Sequence, residues 1–313
     1  MKPCVFIQTN HKQILGAIVA EYALKRNSAN ADKFDVKVLH HKDFDYFLAR
    51  EGQSYLREGH QRVWRNNDLQ SFTLTRFMPP EQMGYEGRSI EIDPDIFAVG
   101  DVWDLLQMDM GGKAILARPL RGKKGAAGYM ASSVMMMDNA KLKHWKVEEQ
   151  FNEMFENKRD YGEWIGLKLE DPNTIGVMDE VWNDLDRLTK DTKMLHTTLR
   201  RTQPWKTGLQ ADFVPRDKKP GIPLSGPVNR LKRKIFGDYA FLGKYRQHPD
   251  IRQEQFFFAL LQECVDNGIV TPDMVKEQMS LNHVRHDAFE VLERTPPLDE
   301  VMAAVARVDA VAA

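Results

Sequence analysis

The chain is short of cysteine, of long apolar runs and of any surplus of charge. Only Cys4 and Cys264 occur in 313 residues. They are far apart and form no C-x-x-C, so neither a disulfide framework nor a zinc ribbon is available. Cys4 falls in an apolar strand pattern and reads as an inert buried thiol. No stretch approaches the ~18 consecutive apolar residues of a membrane span. The opening run Cys4-Val5-Phe6-Ile7 stops at Gln8, too short for the core of a secretory leader, so a cytoplasmic chain is expected. Lys and Arg number 44 against 45 Asp and Glu, a formal net charge of −1, which argues against a general nucleic-acid binder. Hydrophobic residues make up 42%, enough for one large core or a core with an appendage.

Local pattern predicts an α/β sheet. Cys4 to Ile7 reads as a strand buried on both faces. After the polar break Gln8-Thr9-Asn10, the residues Ile14, Leu15, Ile18, Val19, Tyr22 and Ala23 share one helical face. Phe34-Asp35-Val36-Lys37-Val38 alternates as a second strand, completing a βαβ opening whose functional loops should follow the strand ends. Residues 41–75 are charged and aromatic with weak periodicity, and helices are expected there. Further strands are expected at Lys113–Ala117, Ser133–Met137 and Lys193–His196. Helices are expected from Asp101, as an N-cap, and over Glu148–Phe155. Arg121 to Gly128 reads as a mobile basic glycine-rich loop, and Arg216 to Pro227 as a proline- and glycine-rich linker. Beyond it the pattern is helical: Asp250 caps a helix closed by Gly268, and Thr271-Pro272 opens another. The expected organisation is an α/β domain over 1–215 and a linker with a helical region over 216–313. No internal repeat is visible.

The segment Arg88-Ser89-Ile90-Glu91-Ile92-Asp93-Pro94-Asp95-Ile96-Phe97 carries the most chemistry. It reads as a short buried strand ending in two aspartates. In extended backbone Asp93 and Asp95 point the same way, and adjacent carboxylates call for a cation between them. A divalent metal held by oxygen ligands can in turn hold a diphosphate, which points to a nucleotide-sugar enzyme. Solvated loop aspartates are the bland alternative. An EF-hand is a poor one, because Phe97 and Ala98 stand where it needs Asp/Asn and Gly. A nucleotidyltransferase also uses paired aspartates, but the loop Gln8–Gln13 lacks the glycines of a phosphate cradle.

The run from Ile92 to Leu105, with its D-x-D, apolar residues and Gly100-Asp101 turn into a Trp103-containing helix, resembles the core motif of glycosyltransferase family 8, the glycogenin and lipopolysaccharide galactosyltransferase group. Leu195-His196-Thr197-Thr198-Leu199-Arg200-Arg201-Thr202-Gln203-Pro204-Trp205-Lys206 is similar to that family's H-x-x-G-x-x-K-P-W segment. The resemblance covers roughly residues 3–210. It implies a GT-A nucleotide-diphospho-sugar transferase fold, a mixed sheet flanked by helices with a helical C-terminal extension. It implies retaining transfer from a UDP-sugar to a glycan, lipid-linked or protein acceptor. Asp93, Asp95 and His196 would be ligands to manganese or magnesium, Asp93 also reaching the donor. Gln8, Thr9 and Asn10 correspond to the loop gripping uracil and ribose, and Arg76 to an arginine contacting the donor.

There are departures. Ala131-Ser132-Ser133 stands where the family has N-S-G, leaving Ser132 as the donor-facing residue. The family's D-Q-D falls near Tyr161-Gly162-Glu163, with Asp160 or Glu163 as catalytic candidates and no glutamine. Gln203 replaces a lysine, so Arg200 or Arg201 would face the diphosphate. These gaps keep open a second reading, an inactive nucleotide-sugar binding or assembly module. Trp182-Asn183 resembles a family position beneath the site, with a packed tryptophan as the alternative. His283-x-x-His286 reads as a solvated helix face rather than a metal pair, and Met135-Met136-Met137 as core. Arg230 to Phe236, basic with flanking apolar residues, suits an anionic membrane or acidic partner, with a solvated helix as the alternative. The C-terminal helices are expected to serve acceptor, membrane or oligomer contact.

Overall fold

The computed structural model describes residues 1–69, 71–120, 128–213, 225–237, 239 and 242–312. The βαβ opening forms as expected. Strand β1 (Cys4–Thr9), helix α1 (Ile14–Arg26) and strand β2 (Asp35–His40) make a crossover unit in which β1 and β2 are parallel, Cys4 opposite Asp35 and Thr9 opposite His40.

Residues 41–75 depart from expectation. After the four-residue α2 (Asp45–Leu48) the chain forms an antiparallel hairpin, β3 (Ser54–Arg57) and β4 (His60–Val63). Glu58 and Gly59 turn it with φ of 53° and 73°, the positive pair that matches the twist of a two-residue hairpin. Its aromatic residues are packing groups: Tyr55 and Trp64 meet edge-to-face at 5.7 Å.

The chain continues through α3 (Pro79–Gln82), β5 (Arg88–Ile92), β6 (Ile96–Ala98), α4 (Val102–Leu106), β7 (Ile115–Leu120) and β8 (Tyr129–Asp138). Next come α5 (Val147–Phe155), α6 (Tyr161–Ile165), β9 (Ile175–Val177), β10 (Asp184–Leu185) and β11 (Met194–His196). Among the described residues five helices close it: α7 (Ser225–Phe236), α8 (Ile251–Asp266), α9 (Pro272–Ser280), α10 (Ala288–Arg294) and α11 (Leu298–Ala312). The main sheet has six strands in the order β2-β1-β5-β8-β7-β9, with β8 antiparallel to both neighbours. A second sheet runs β10-β11-β6. The fold is thus a mixed α/β sheet flanked by helices, with a helical C-terminal region.

Alternation on the buried strands sends side chains to two cores. Val5, Ile7, Ile90, Ile92, Val134 and Met136 face one layer. Cys4, Phe6, Met135 and Met137 face the other, among Phe47, Trp64, Phe77, Trp145, Phe151 and Trp164. The three methionines are core, and burial pushes the Cys4 thiol up to about 12. The first layer continues into α8, whose Phe256, Phe257 and Phe258 are buried, each stabilising by roughly 1.5–3 kcal/mol. Local signals set these helices. Asp250 accepts from Arg252 N at 3.1 Å, Gly268 follows α8 at φ 68°, and Thr271 accepts from Met274 N at 3.2 Å. Most of the predicted linker and seven residues of the basic loop, 121–127, lie outside the described residues; Ser225, Gly226 and Pro227 already belong to α7. Among the described residues no helix is long and apolar enough to cross a membrane.

Candidate metal centre and cavity

Asp93 and Asp95 converge for a different reason than strand alternation. Strand β5 ends at Ile92, and Asp93-Pro94-Asp95-Ile96 is a turn closed by Ile96 N donating to Asp93 O at 3.2 Å. Asp at the first position and proline at the second are what such a turn favours. The turn hands the chain from the large sheet to β6 in the small one. There β11 pairs antiparallel, with Met194 opposite Ala98, Leu195 opposite Phe97 and His196 opposite Ile96. Thr197 N then donates to Asp95 O at 3.0 Å. This register places His196 beside residues about a hundred positions earlier.

The backing of the turn is tight. Gly16 of α1 lies against it, and a Cβ there would sit 2.6 Å from Pro94 O. Glycine at 16 is what allows helix and turn to approach this closely.

Asp93, Asp95 and His196 each offer a ligand atom, all within 4.8 Å of one another. His196 Nε2 lies 3.5 Å from Asp95 Oδ1 and 4.0 Å from Asp93 Oδ2. The other ring nitrogen, Nδ1, meets Asn183 Oδ1 at 2.8 Å, while Asn183 Nδ2 donates to Ser133 Oγ at 3.0 Å. That network assigns the proton to Nδ1 and leaves the Nε2 lone pair facing the carboxylates. Burial takes the imidazole down to about 4, so it is neutral. Burial also pushes Asp95 up to about 6, against the Gln203 hydrogen bond, and raises Asp93 against the nearby Arg76 charge. Two carboxylates and a neutral imidazole with its lone pair aimed between them could hold a divalent cation.

The carboxylates are held from behind. Arg76 Nε donates to Asp93 Oδ1 at 3.0 Å, Nη2 donates to Oδ2, and Nη1 donates to Ser132 Oγ at 2.9 Å. Gln8 Nε2 also donates to Asp93 Oδ1. Gln203 Nε2 donates to Asp95 Oδ2 at 3.0 Å. Arg76 and Gln8, expected to touch the donor, both contact a metal-ligand candidate, and Arg76 also lines the adjoining cavity. Gln203, read from sequence only as a replacement for lysine, is an anchor of Asp95. Its signal was its place two residues before Trp205; the contact itself had none.

The cluster opens into a cavity of about 640 Å³, also lined by Arg76, Ser132, Asp160, Glu163, Lys168 and Arg200. Gln8, Thr9 and Asn10 do not line it. They are fully buried, and Asn10 Nδ2 donates to Asp68 O and Ser71 Oγ, both at 3.0 Å. Gln8 and Thr9 belong to the end of β1 rather than to a loop, with Asn10 just beyond it, and Gln13 reaches the cavity. Asp160 caps α6, accepting from Gly162 N at 2.7 Å and Glu163 N at 3.2 Å, and accepts from Gly59 N at 2.8 Å. Burial raises its carboxyl, but these backbone donors outweigh that and hold it low. Glu163 is exposed on the cavity wall. Arg200 is on the wall, its guanidinium 5.7 Å from the Phe213 ring centroid, whereas Arg201 is exposed elsewhere. Trp182 is packed in the core beside Asn183. His283 and His286 lie in the turn between α9 and α10, not on a helix, and bond to Gln278 and Asn282.

No protein-family model and no curated protein matches the chain. Solved structures similar to it include the apo-form glycosyltransferase GlyE of Streptococcus pneumoniae TIGR4, at 16% identity over 66% of this chain and 56% of that one, TM-score 0.44. The likeness therefore spans little more than half of the GlyE chain. The galactosyltransferase LgtC in complex with donor and acceptor sugar analogues gives 13% identity over 64% of this chain and 89% of that one, TM-score 0.45. Mouse xyloside xylosyltransferase 1 gives 13% over 64% and 98%, TM-score 0.40.

Proposed function

We propose that the chain is a metal-dependent glycosyltransferase of GT-A type that moves a sugar from a UDP-sugar to an acceptor hydroxyl with retention of configuration. The transferase part spans 1–215, with the helical region 216–313 beside it. One observation carries the reading: Asp93 and Asp95, in the turn between two sheets, and His196 of β11 meet at a cavity with the imidazole lone pair turned toward the acids. Asp93, Asp95 and His196 would hold Mn2+ or Mg2+, and the bound cation would supply positive charge opposite a departing diphosphate.

The chain's own residues do the rest. Arg76 and Gln8 fix Asp93, Gln203 fixes Asp95, and Asn183 fixes the imidazole. Such supports keep ligands in place without reorganisation. Ser132 holds the third nitrogen of Arg76. Arg200 and Lys168 bring positive charge to the cavity wall for an anionic donor. Glu163 provides a carboxylate for the cationic sugar of the transition state, with Asp160 positioning it by capping α6. Thr9 and Asn10 shape the end of β1 beside the donor's base.

A UDP-release assay with a panel of UDP-sugars and manganese tests this. Slow release is expected, dependent on the metal, and Asp95→Asn should lower it by at least about a thousandfold. Unimpaired release by that variant would remove the metal assignment. A second reading, a catalytically inactive nucleotide-sugar binding module, is favoured by the Arg76 fork on Asp93, which neutralises one acid without a metal. Calorimetric binding of UDP with manganese but no release across the panel would select it.

A further inference from the structure

Helix α7 carries a feature that sugar transfer does not use. Ser225–Phe236 contains Arg230, Lys232, Arg233 and Lys234 and no acidic residue, in a chain whose net charge is −1. Val228, Leu231 and Ile235 are 49%, 59% and 62% exposed. At about 100° per residue these three fall within an arc of roughly 60°. Lys232 flanks the arc on one side and Lys234 on the other. Phe236, 60% exposed, follows at the helix end.

We propose that α7 lies on an anionic lipid surface. The apolar arc would enter the boundary between headgroups and acyl chains, and the flanking lysines would reach outward to lipid phosphates. Charge complementarity selects this occupant. A helix with basic residues on both sides of a narrow apolar strip matches a flat anionic sheet, and it offers no acid to reject lipid phosphate.

The helix is also tied close to the cavity. Phe213 and Leu242, on either side of it in sequence, share a small apolar cluster with Leu69, Leu209 and Tyr245. Leu69 lines the cavity, and so does Arg200, which stacks over Phe213. Leu242 is six residue steps from Phe236, a reach of at most about 22 Å. Docking α7 would therefore hold the cavity within that length of chain from the bilayer. A corollary, which rests on the glycosyltransferase reading, is that the acceptor is anchored in lipid.

Flotation of the full chain tests the contact, using vesicles of phosphatidylcholine alone and vesicles with about a third phosphatidylglycerol. The protein should float with the anionic vesicles at low salt, stay behind with the neutral ones, and be released as salt rises. Lys232→Gln with Lys234→Gln should lower partitioning roughly tenfold or more. Leu231→Glu with Ile235→Glu should abolish it, with unchanged circular dichroism as the folding control. Failure of the wild type to float with anionic vesicles overturns the proposal, and so does flotation of the double-glutamate variant. A dimer in sedimentation velocity that the glutamates dissolve would assign the face to a second copy and overturn it too. Vesicle binding is read without any donor, so its failure is distinct from failure of sugar transfer.

Discussion

Two clusters of charge lie on either side of the turn Pro204-Trp205-Lys206, and they are built on opposite terms. On one side Arg285, buried, donates to Glu254 Oε2 at 2.7 Å and to Asp287 Oδ2 at 2.8 Å, while Arg294 stands 3.8 Å from Glu254. Two cations face two acids there, and Arg285 N also ties the helices to Trp205 O at 2.7 Å. On the other side Asp93 and Asp95 share one guanidinium, Arg76, and a neutral imidazole. The titration of the acids separates the two clusters. The Arg285 hydrogen bond holds Asp287 below the usual carboxylate range, whereas burial pushes Asp95 up to about 6. Asp287, only partly covered, is held low because it already has its counter-charge. A buried acid pushed up lacks one, and where that lack opens onto a cavity it marks a binding site.

The sharpest way to break this comparison is to remove one member of each cluster and measure folding. Arg285→Ala leaves Glu254 buried beside a single, largely exposed cation, Arg294, and should cost about 3–5 kcal/mol. Asp95→Asn, in the cluster with surplus negative charge, should leave stability nearly unchanged. Urea unfolding of both variants decides it. Equal losses would mean that the acids at 93 and 95 are as fully paired as those of the C-terminal helices.

The backing of the turn gives the next largest effect. Gly16→Ala adds a methyl 2.6 Å from Pro94 O, a backbone atom that cannot swing aside. Overpacking of this kind costs about 1–3 kcal/mol, partly offset by alanine's better helix propensity of about 1 kcal/mol. Because Pro94 lies between the two aspartates, manganese affinity should fall as well. Lost stability with unaltered metal binding would show that the turn relaxes without carrying its carboxylates along. Asn183→Ala tests the support of the third ligand. Freed from its partner, His196 loses its fixed tautomer, and metal affinity should drop about 10–100-fold with a smaller change in folding.

What the sequence disclosed follows the same division between local and distant. The caps at Asp101, Asp250 and Thr271 were legible because a cap bonds within two or three residues of itself. The acids were legible by residue type at the end of a buried strand, and His196 only through the resemblance of the segment that runs on to Pro204-Trp205. The reason for their convergence was not: alternation along a strand predicted it, and a proline turn between two sheets produces it. The partners Arg76, Gln8 and Gln203 act across 17, 85 and 108 positions, and no short-range pattern encodes a contact that the sheet order creates. The hairpin of β3 and β4 was missed because most of its residues are exposed, so apolar alternation is absent, and because Glu58 occupies a positive-φ position where glycine or asparagine would have signalled a turn.

Buried imidazoles extend the comparison to its smallest expected effect. His196 is held by Asn183 and faces two acids, whereas His41 is sealed at the end of β2 against the His40 ring, 5.5 Å away. Burial, with the neighbouring His40 and His11 adding to it, brings His41 down to about 4. An unfolded histidine takes up its proton near pH 6.5, so between those values the unfolded chain binds a proton that the folded one refuses. Stability from this residue is therefore full above pH 6.5 and falls as pH drops toward 4. From pH 7 to pH 5 the loss should be about 1–2 kcal/mol. In His41→Gln the titrating group is gone, and the urea midpoint should depend less steeply on pH over that range. An identical slope in both proteins would mean that position 41 binds its proton as readily folded as unfolded, and that sealing an imidazole without acids around it has no energetic consequence here.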